Sequence, residues 1–223
     1  MKSHLMTDAY HGLNIMALMF FNPSRLFHKI NELPWYQGML QAWTDNLSYR
    51  NGDSILEVGC ATGKLARYMA SRGAKVSGVD RSRKMLHRAR AFPTEGAHFS
   101  IANALDLPFE KHCFDYVISA SLINIIADPG MALREMVRVC KPGGKVSVLV
   151  PQAGVADEDI IRLAKELNLA GFSHAALTAW HLRAPKMQRE ILQEYFSHAG
   201  LHGIFSETHL HGMVLTVTGT RSI

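Results

Sequence analysis

The fold of this chain is decided by ten residues, Ser54-Ile-Leu-Glu-Val-Gly-Cys-Ala-Thr-Gly63. They begin as a short apolar run, typical of a buried β-strand, and end in a turn that contains two glycines. Residues 64–71 continue with helical spacing, since Leu65, Tyr68 and Met69 share one face. Glycines between a strand and a helix let backbone amides approach a ligand at the helix amino end. The same pattern also suits a tight strand-to-helix turn that binds nothing.

The spacing of this turn excludes two nucleotide-binding motifs. A dinucleotide-binding GxGxxG that starts at Gly59 requires glycine where Ala61 and Lys64 stand. A phosphate-binding P-loop requires Ser or Thr where Leu65 stands, and one more residue between the glycines.

Strand-like and helix-like segments alternate from residue 51 to residue 150. Such alternation predicts βαβ units, a parallel sheet covered on both faces, and ligands at the carboxyl ends of the strands. The predicted strands are residues 54–58, 75–79, 98–101, 114–119 and 145–150. The predicted helices are residues 64–71, 83–91 and 131–140, the last stopped by Lys141-Pro-Gly-Gly144.

The chain after residue 151 differs from this pattern. Residues 157–169 and 185–199 are predicted helices, and residues 202–209 and 213–218 are predicted to form a hairpin around Gly212. An α/β core that ends in an antiparallel pair of strands narrows the choice of fold more than a plain doubly wound sheet does.

Asp80 ends the second predicted strand, 80 − 59 = 21 residues after Gly59. A carboxylate at this place can accept hydrogen bonds from both hydroxyls of a ribose. It can also serve the following helix as a cap or a first-turn charge, and both roles can hold together.

Composition limits the classes of protein. The chain has 223 residues, 48% of them apolar and 19% charged, with a formal net charge of +5, which fits a globular protein with a sizeable core. Three cysteines without CxxC spacing argue against disulfides and structural zinc, so we expect a reducing cytoplasm and no metal site. The apolar run 15–21 is too short to span a membrane.

Four segments together resemble class I S-adenosylmethionine-dependent methyltransferases. They are residues 55–90, Asn103-Ala-Leu-Asp-Leu-Pro-Phe109, Phe114-Asp-Tyr-Val-Ile-Ser119 and residues 132–144, in the order and spacing of that family. The resemblance is strongest to the branch of small-molecule methyltransferases (type 11) that includes quinone-modifying enzymes. It implies a Rossmann-like, doubly wound, seven-stranded α/β sheet with an antiparallel last strand and an N-terminal helical cap.

The resemblance also implies S-adenosyl-L-methionine as cofactor and a role for individual residues. Glu57 would lie near the methionine amino group, Asp80 would bind the ribose, Met85 would pack on the adenine, and Asn124 would face the reaction centre. The implied cofactor residues are Glu57, Gly59, Cys60, Ala61, Gly63, Asp80, Arg81, Met85, Asn103, Ala104, Leu105, Ser119 and Asn124. The chain departs from the family at Ala61, where a central glycine is usual, and at Asn103, where Asp is frequent.

Candidates for a general base lie in the segments that flank the sheet. They are Tyr10, His11 and His181, and histidine is the usual base near neutral pH. We expect residues 1–50 to form a helical cap and residues 51–223 a methyltransferase domain, with residues 151–185 as a substrate lid. The cap carries Trp35, Tyr36 and Trp43, which either enclose an acceptor or pack against the domain.

The predicted function is methyl transfer from S-adenosylmethionine to a small-molecule acceptor, apolar or aromatic, by in-line displacement. Two alternatives stay open: an RNA or protein methyltransferase, and a non-catalytic S-adenosylmethionine-binding module. The basic residues of the helix after Asp80 have no aromatic residues between them, so we expect no nucleic-acid partner. We also expect no integral membrane association. The oligomeric state is not predicted.

Overall fold

The computed structural model describes residues 11–18 and 21–223. Residues 11–18 are helical. The further helices are α1 (Pro23–Asn31), α2 (Pro34–Asn46), α3 (Lys64–Ser71), α4 (Arg83–Arg90), α5 (Pro129–Val139), α6 (Asp157–Glu166), α7 (Gly171–Arg183) and α8 (Arg189–His198). The strands are β1 (Ser54–Val58), β2 (Lys75–Asp80), β3 (Ala97–Ile101), β4 (Phe114–Ala120), β5 (Cys140–Pro151), β6 (Leu201–His209) and β7 (Val214–Arg221). In the described ranges, no helix combines the length and the apolar character needed to cross a bilayer.

The seven strands form one sheet in the order β3-β2-β1-β4-β5-β7-β6. Strands β3, β2, β1, β4 and β5 pair in parallel, and β7 runs antiparallel to both β5 and β6. The predicted α/β sheet with a reversed last strand is therefore confirmed.

Both faces of the sheet are buried. Neighbouring strand residues point to opposite faces, so that Ile55 and Leu149 join one apolar cluster while Leu56 and Val148 join the other. Helices α2, α3, α6 and α7 contribute to the first cluster, and α5 and α8 contribute to the second. This two-sided burial explains the continuous apolar runs from which the parallel strands were predicted.

The boundaries of α5 differ from the prediction. The helix begins two residues earlier than residue 131, because Asp128 caps it by accepting a hydrogen bond from the Met131 amide (2.8 Å). It ends at Val139, and Lys141-Pro-Gly-Gly144 belongs to β5 rather than to a separate turn. The pairing register shifts between Phe114 and Tyr116, which accommodates these four residues in the strand.

Helix α7 was not predicted, and α8 begins four residues later than predicted. Apolar residues occur on all sides of α7, so no single stripe indicates a helix. Residues 185–188 run instead beside the end of β5. The Met187 amide donates to the Pro151 carbonyl (3.0 Å) and the Ala153 amide donates to the Met187 carbonyl (3.0 Å).

Helix α2 is fixed to the sheet by a buried polar chain. Trp43 is 1% exposed, and its Nε1 donates to the Ser147 hydroxyl of β5 (2.9 Å). The Ser147 hydroxyl also bonds the Thr218 hydroxyl of β7 (2.7 Å). This pair of buried hydroxyls fixes the position of the indole, because a polar group left without a hydrogen bond in the core would destabilise the fold.

A double-mutant cycle tests this anchor. We expect Trp43→Phe and Ser147→Ala to be coupled by about 1 kcal/mol in the free energy of unfolding, because both remove the same buried hydrogen bond. Urea denaturation of the four proteins of the cycle measures the coupling. Additive effects of the two substitutions would show that the indole is held by packing alone.

Candidate functional site

The turn between β1 and α3 has the backbone that a ligand-binding glycine loop requires. Gly59, Ala61 and Gly63 have φ angles of +81°, +46° and +71°, all in the left-handed region. The amides of Gly59 and Cys60 donate to the Val79 carbonyl at the end of β2 (2.8 and 2.9 Å). Ala61 is the residue under strain, because its Cβ makes this conformation cost about 1 kcal/mol or more.

Asp80 is held at the end of β2 by two backbone amides. Its Oδ2 accepts from the Ala61 amide (3.0 Å) and its Oδ1 accepts from the Ser82 amide (2.8 Å). Ser82 in turn caps α4 by accepting from the Met85 amide (3.3 Å). Each carboxylate oxygen of Asp80 has a further lone pair. Asp80 can therefore accept hydrogen bonds from a ligand while it also holds the start of α4.

Glu57 places a carboxyl group against the amino end of α3. The residue is 4% exposed, and the Ala66 amide in the first turn of α3 donates to its carboxylate. Its Oε2 has no hydrogen-bond partner among the described residues. The pKa of Glu57 is raised to about 8, mainly by burial and also by the nearby Asp80, although the Ala66 amide and Arg67 act to lower it.

Tyr36 reaches this carboxyl group from α2. Its hydroxyl lies beside Ser121 and close to Glu57, and burial raises its pKa to about 12. The hydroxyls of Tyr36 and Ser121 lie close together, and Ser121 Oγ has no hydrogen-bond partner in the described structure. Tyr36 therefore stays protonated near neutral pH and can offer its O–H to the site.

Further unpartnered polar atoms lie just after the neighbouring strands β4 and β5. They are Asn124 Oδ1 and Gln152 Oε1, both buried and without a hydrogen-bond partner in residues 11–18 and 21–223. Together with Glu57 Oε2 and Ser121 Oγ they stand at the carboxyl ends of β1, β4 and β5. Buried polar atoms are normally paired, so this group indicates a ligand site.

The other predicted cofactor residues lie along the same edge of the sheet. Cys60, Arg81, Met85, Asn103, Ala104, Leu105 and Ser119 stand at or just after the carboxyl ends of β1, β2, β3 and β4. Two side chains are engaged locally. Asn103 Oδ1 accepts from the Leu105 amide (3.1 Å), and the Ser119 hydroxyl donates to the Val58 carbonyl (2.9 Å), which leaves the Ser119 backbone for the site.

Of the three candidate bases, the two that the structure describes, His11 and His181, lie at different ends of one helix. Tyr10 lies outside the described residues. His11 lies at the start of α7, where a methyl group built on Gly171 would be 3.3 Å from its Nε2. His181 lies ten residues further along α7, about 15 Å along the helix axis, and its Nε2 is 2.8 Å from Asp157 Oδ1.

Sequence reasoning did not single out Ser121 and Gln152 as site residues. Neither belongs to a local pattern, since each follows a strand whose partner becomes known only from the sheet order. Tyr36 was expected in the cap, but nothing in the sequence indicated that its hydroxyl lies near Ser121 and Glu57.

Residues 56–148 match the family described as "Methyltransferase domain". A ubiquinone biosynthesis O-methyltransferase of Idiomarina loihiensis is 33% identical over 138 residues, covering 59% of this chain and 55% of that protein. A demethylmenaquinone methyltransferase of Bacillus cytotoxicus is 36% identical over 111 residues, covering 46% of each chain. The chain spans about half the length of these curated relatives.

Over residues 56–148 this chain is therefore similar to a methyltransferase domain. Its fold agrees with that of phosphoethanolamine N-methyltransferase 2 of Haemonchus contortus, solved with phosphomonomethylethanolamine and S-adenosylhomocysteine. The TM-score is 0.69 at 17% identity, over 93% of this chain and 59% of that one. The matched residues 56–148 include the glycine turn, Glu57, Asp80 and Ser119.

Glu57→Gln is expected to change how stability depends on pH. The pKa of Glu57 is about 8 in the folded chain and near 4.5 when exposed, so the folded state retains a proton that the unfolded state loses between these values. The stability that Glu57 contributes is full below pH 4.5 and is lost as pH rises to about 8. Glutamine stays neutral, so the variant without ligand should become progressively more stable than wild type across that window. Thermal unfolding measured at several pH values tests this; a constant difference would contradict it.

Ala61→Gly should stabilise the ligand-free chain by up to about 1 kcal/mol, because glycine adopts the left-handed conformation without strain. Ala91→Gly is the matched control. Ala91 has a φ of −65°, so the same substitution there should lower the free energy of unfolding. Denaturant unfolding of both variants gives the comparison. Equal effects at the two positions would argue against strain at Ala61.

Proposed function

We propose that the protein transfers a methyl group from S-adenosyl-L-methionine to a small-molecule acceptor. The observation that carries the proposal is the buried and unpartnered Oε2 of Glu57 beside the glycine turn. An α-amino group is a cation that donates hydrogen bonds. It can therefore offset the cost of burying the Glu57 carboxylate and supply the hydrogen bond that Oε2 lacks.

The residues of the strand ends fit the other parts of this cofactor. Asp80 has lone pairs left for ribose hydroxyls, and Met85, at 9% exposure, supplies an adaptable apolar surface for a base. The cofactor supplies a methyl group already activated by a sulfonium cation. The protein's own task is then to orient the reactants and to exclude water.

We propose an apolar or aromatic acceptor. Two similar proteins are named for ubiquinone biosynthesis and for demethylmenaquinone, and the helices that flank the site carry aromatic rings. Trp180 of α7 lies 5.9 Å from Trp35 and 5.3 Å from Tyr36, measured between ring centroids. In this proposal residues 1–50 form the cap, residues 151–185 the opposite wall, and residues 51–223 the catalytic domain.

We also propose that the protein works in the cytoplasm and does not use nucleic acid as its acceptor. Cys60, Cys113 and Cys140 are free thiols, which suits a reducing compartment. An RNA acceptor would make binding fall steeply with salt, so the salt dependence of acceptor binding separates the two classes.

Calorimetric binding of S-adenosylhomocysteine tests the cofactor site. We expect Asp80→Asn to weaken binding by about 10- to 100-fold, because a hydrogen bond to a charged group contributes about 1.5–3 kcal/mol. Asp53→Asn is the matched control: Asp53 accepts the Arg50 amide (2.7 Å) at the opposite edge of the sheet, and its loss should leave binding unchanged. A folded wild-type protein that binds neither S-adenosylmethionine nor S-adenosylhomocysteine would overturn the proposal. Binding without methyl consumption over a broad acceptor panel would favour the non-catalytic module.

A further inference from the structure

His181 is a buried imidazole with one nitrogen paired and the other unpaired. The residue is 6% exposed, and its Nε2 is 2.8 Å from Asp157 Oδ1. Its Nδ1 has no hydrogen-bond partner in the part of the chain that the structure describes. A buried nitrogen without a partner is uncommon unless a ligand supplies one.

His181 belongs to a segment that is attached at the carboxyl ends of β4 and β5. Residues 152–187 form an excursion that leaves β5 and returns to it, closed by the two hydrogen bonds between residues 151–153 and Met187. Asn124 Nδ2, in the segment after β4, donates to the Pro185 carbonyl at the end of this excursion (2.9 Å). His181 lies in the last turn of α7, four residues before Pro185.

Helix α7 also connects His181 to the cofactor end of the site. The neighbouring residue Trp180 packs its ring on Tyr36, and the Tyr36 hydroxyl lies beside Ser121 and near Glu57. Helix α7, which carries His181, is therefore in contact with a side chain that reaches toward the strand ends where we place the methyl donor.

Asp157 determines which nitrogen of His181 carries the proton. A carboxylate accepts hydrogen bonds only, so the neutral imidazole must carry its hydrogen on Nε2 to bond Asp157. Nδ1 then holds a lone pair. Asp157 would also stabilise the imidazolium that forms when Nδ1 takes up a proton.

The unpartnered atoms of α7 and of the segments after β4 and β5 indicate the hydrogen-bonding character of the acceptor molecule. Asn124 Oδ1, Gln152 Oε1 and His181 Nδ1 are all acceptors. A molecule that satisfies them must bring hydrogen-bond donors. Hydroxyl groups on a flat ring meet this requirement and suit the aromatic residues of α2 and α7.

We propose that His181, oriented by Asp157, takes the proton of a phenolic hydroxyl at Nδ1 while that oxygen is methylated. The inference rests on the proposed function and names its acceptor class and its base. The O–H bond breaks and its proton goes to Nδ1. The oxygen forms a bond to the methyl carbon, and the electron pair of the sulfonium–methyl bond stays on sulfur. The products are a methyl ether, a neutral thioether and an imidazolium, which later releases its proton to water.

Two phenols of different acidity test the role of the base. Catechol reaches the enzyme protonated near neutral pH, whereas 4-nitrocatechol is largely ionised and needs no base. We expect His181→Gln to lower kcat/KM for catechol by about 10²-fold or more and to leave 4-nitrocatechol nearly unchanged. His202→Gln, on the exposed side of β6, is the control and should affect neither phenol.

The tautomer gives a readout that does not depend on turnover. In ¹⁵N NMR of the S-adenosylhomocysteine complex, His181 should carry its proton on Nε2, and Asp157→Asn should shift the tautomer population. Glu158→Gln, the neighbouring first-turn carboxylate of α6, should leave it unchanged. The Asp157 variant should also lose catechol turnover more than 4-nitrocatechol turnover.

The outcomes separate this inference from the proposed function. Failure of wild type to bind S-adenosylhomocysteine overturns the function and with it the inference. Normal binding with no turnover of either phenol overturns the acceptor class. Normal binding with equal losses for both phenols in His181→Gln, or with the proton on Nδ1, overturns the assignment of His181 as base.

Discussion

A buried carboxyl group at the amino end of α3 is the constraint around which the site is organised. Glu57 is 4% exposed, one oxygen has no partner in the described structure, and its pKa rises to about 8. Keeping it charged in this environment is unfavourable unless a cation arrives. Without a ligand, the buried Glu57 carboxyl group therefore lowers the stability of the folded chain at neutral pH. A ligand with hydrogen-bond donors can supply the partner that Oε2 lacks, and a loss of stability of this kind is common at functional sites. The Ala66 amide and the Asp80–Ala61 bond fix the geometry around it.

The N-terminal helices belong to this arrangement as much as the sheet does. Trp43 anchors α2 to β5 through Ser147, and the same helix delivers Tyr36 to Glu57. Asn31 Nδ2 donates to the Thr62 hydroxyl within the glycine turn (3.3 Å), and Lys64 pairs with Glu32 (2.6 Å). The segment that precedes the sheet is thus attached to the core on one side and to the proposed cofactor loop on the other.

Much of this fold follows from local signals in the sequence. The first strand, the glycine turn and the place of Asp80 at the end of β2 were predicted correctly, because each depends on neighbouring residues and on the fixed geometry of parallel strands. Helix α7 was not predicted because its apolar residues occur on all of its sides. Its sequence therefore shows no helical period of apolar and polar residues. The roles of Ser121 and Gln152 could not be predicted because they depend on which strands become neighbours, and the approach of Tyr36 to Glu57 depends on how α2 packs on the sheet. Asp157 gave no signal either, since its role comes from a contact between two helices that are 24 residues apart at that point.

A crystal structure of the complex with S-adenosylhomocysteine tests the central claim most directly. We predict that its amino nitrogen lies within hydrogen-bond distance of Glu57 Oε2 and that its ribose hydroxyls contact Asp80. A surface cavity of about 480 Å³ between α1, α2 and α3 offers a different location, lined by His28, Gln41 and Lys64 among others. A ligand found in that cavity, with Glu57 Oε2 still without a partner, would contradict the account.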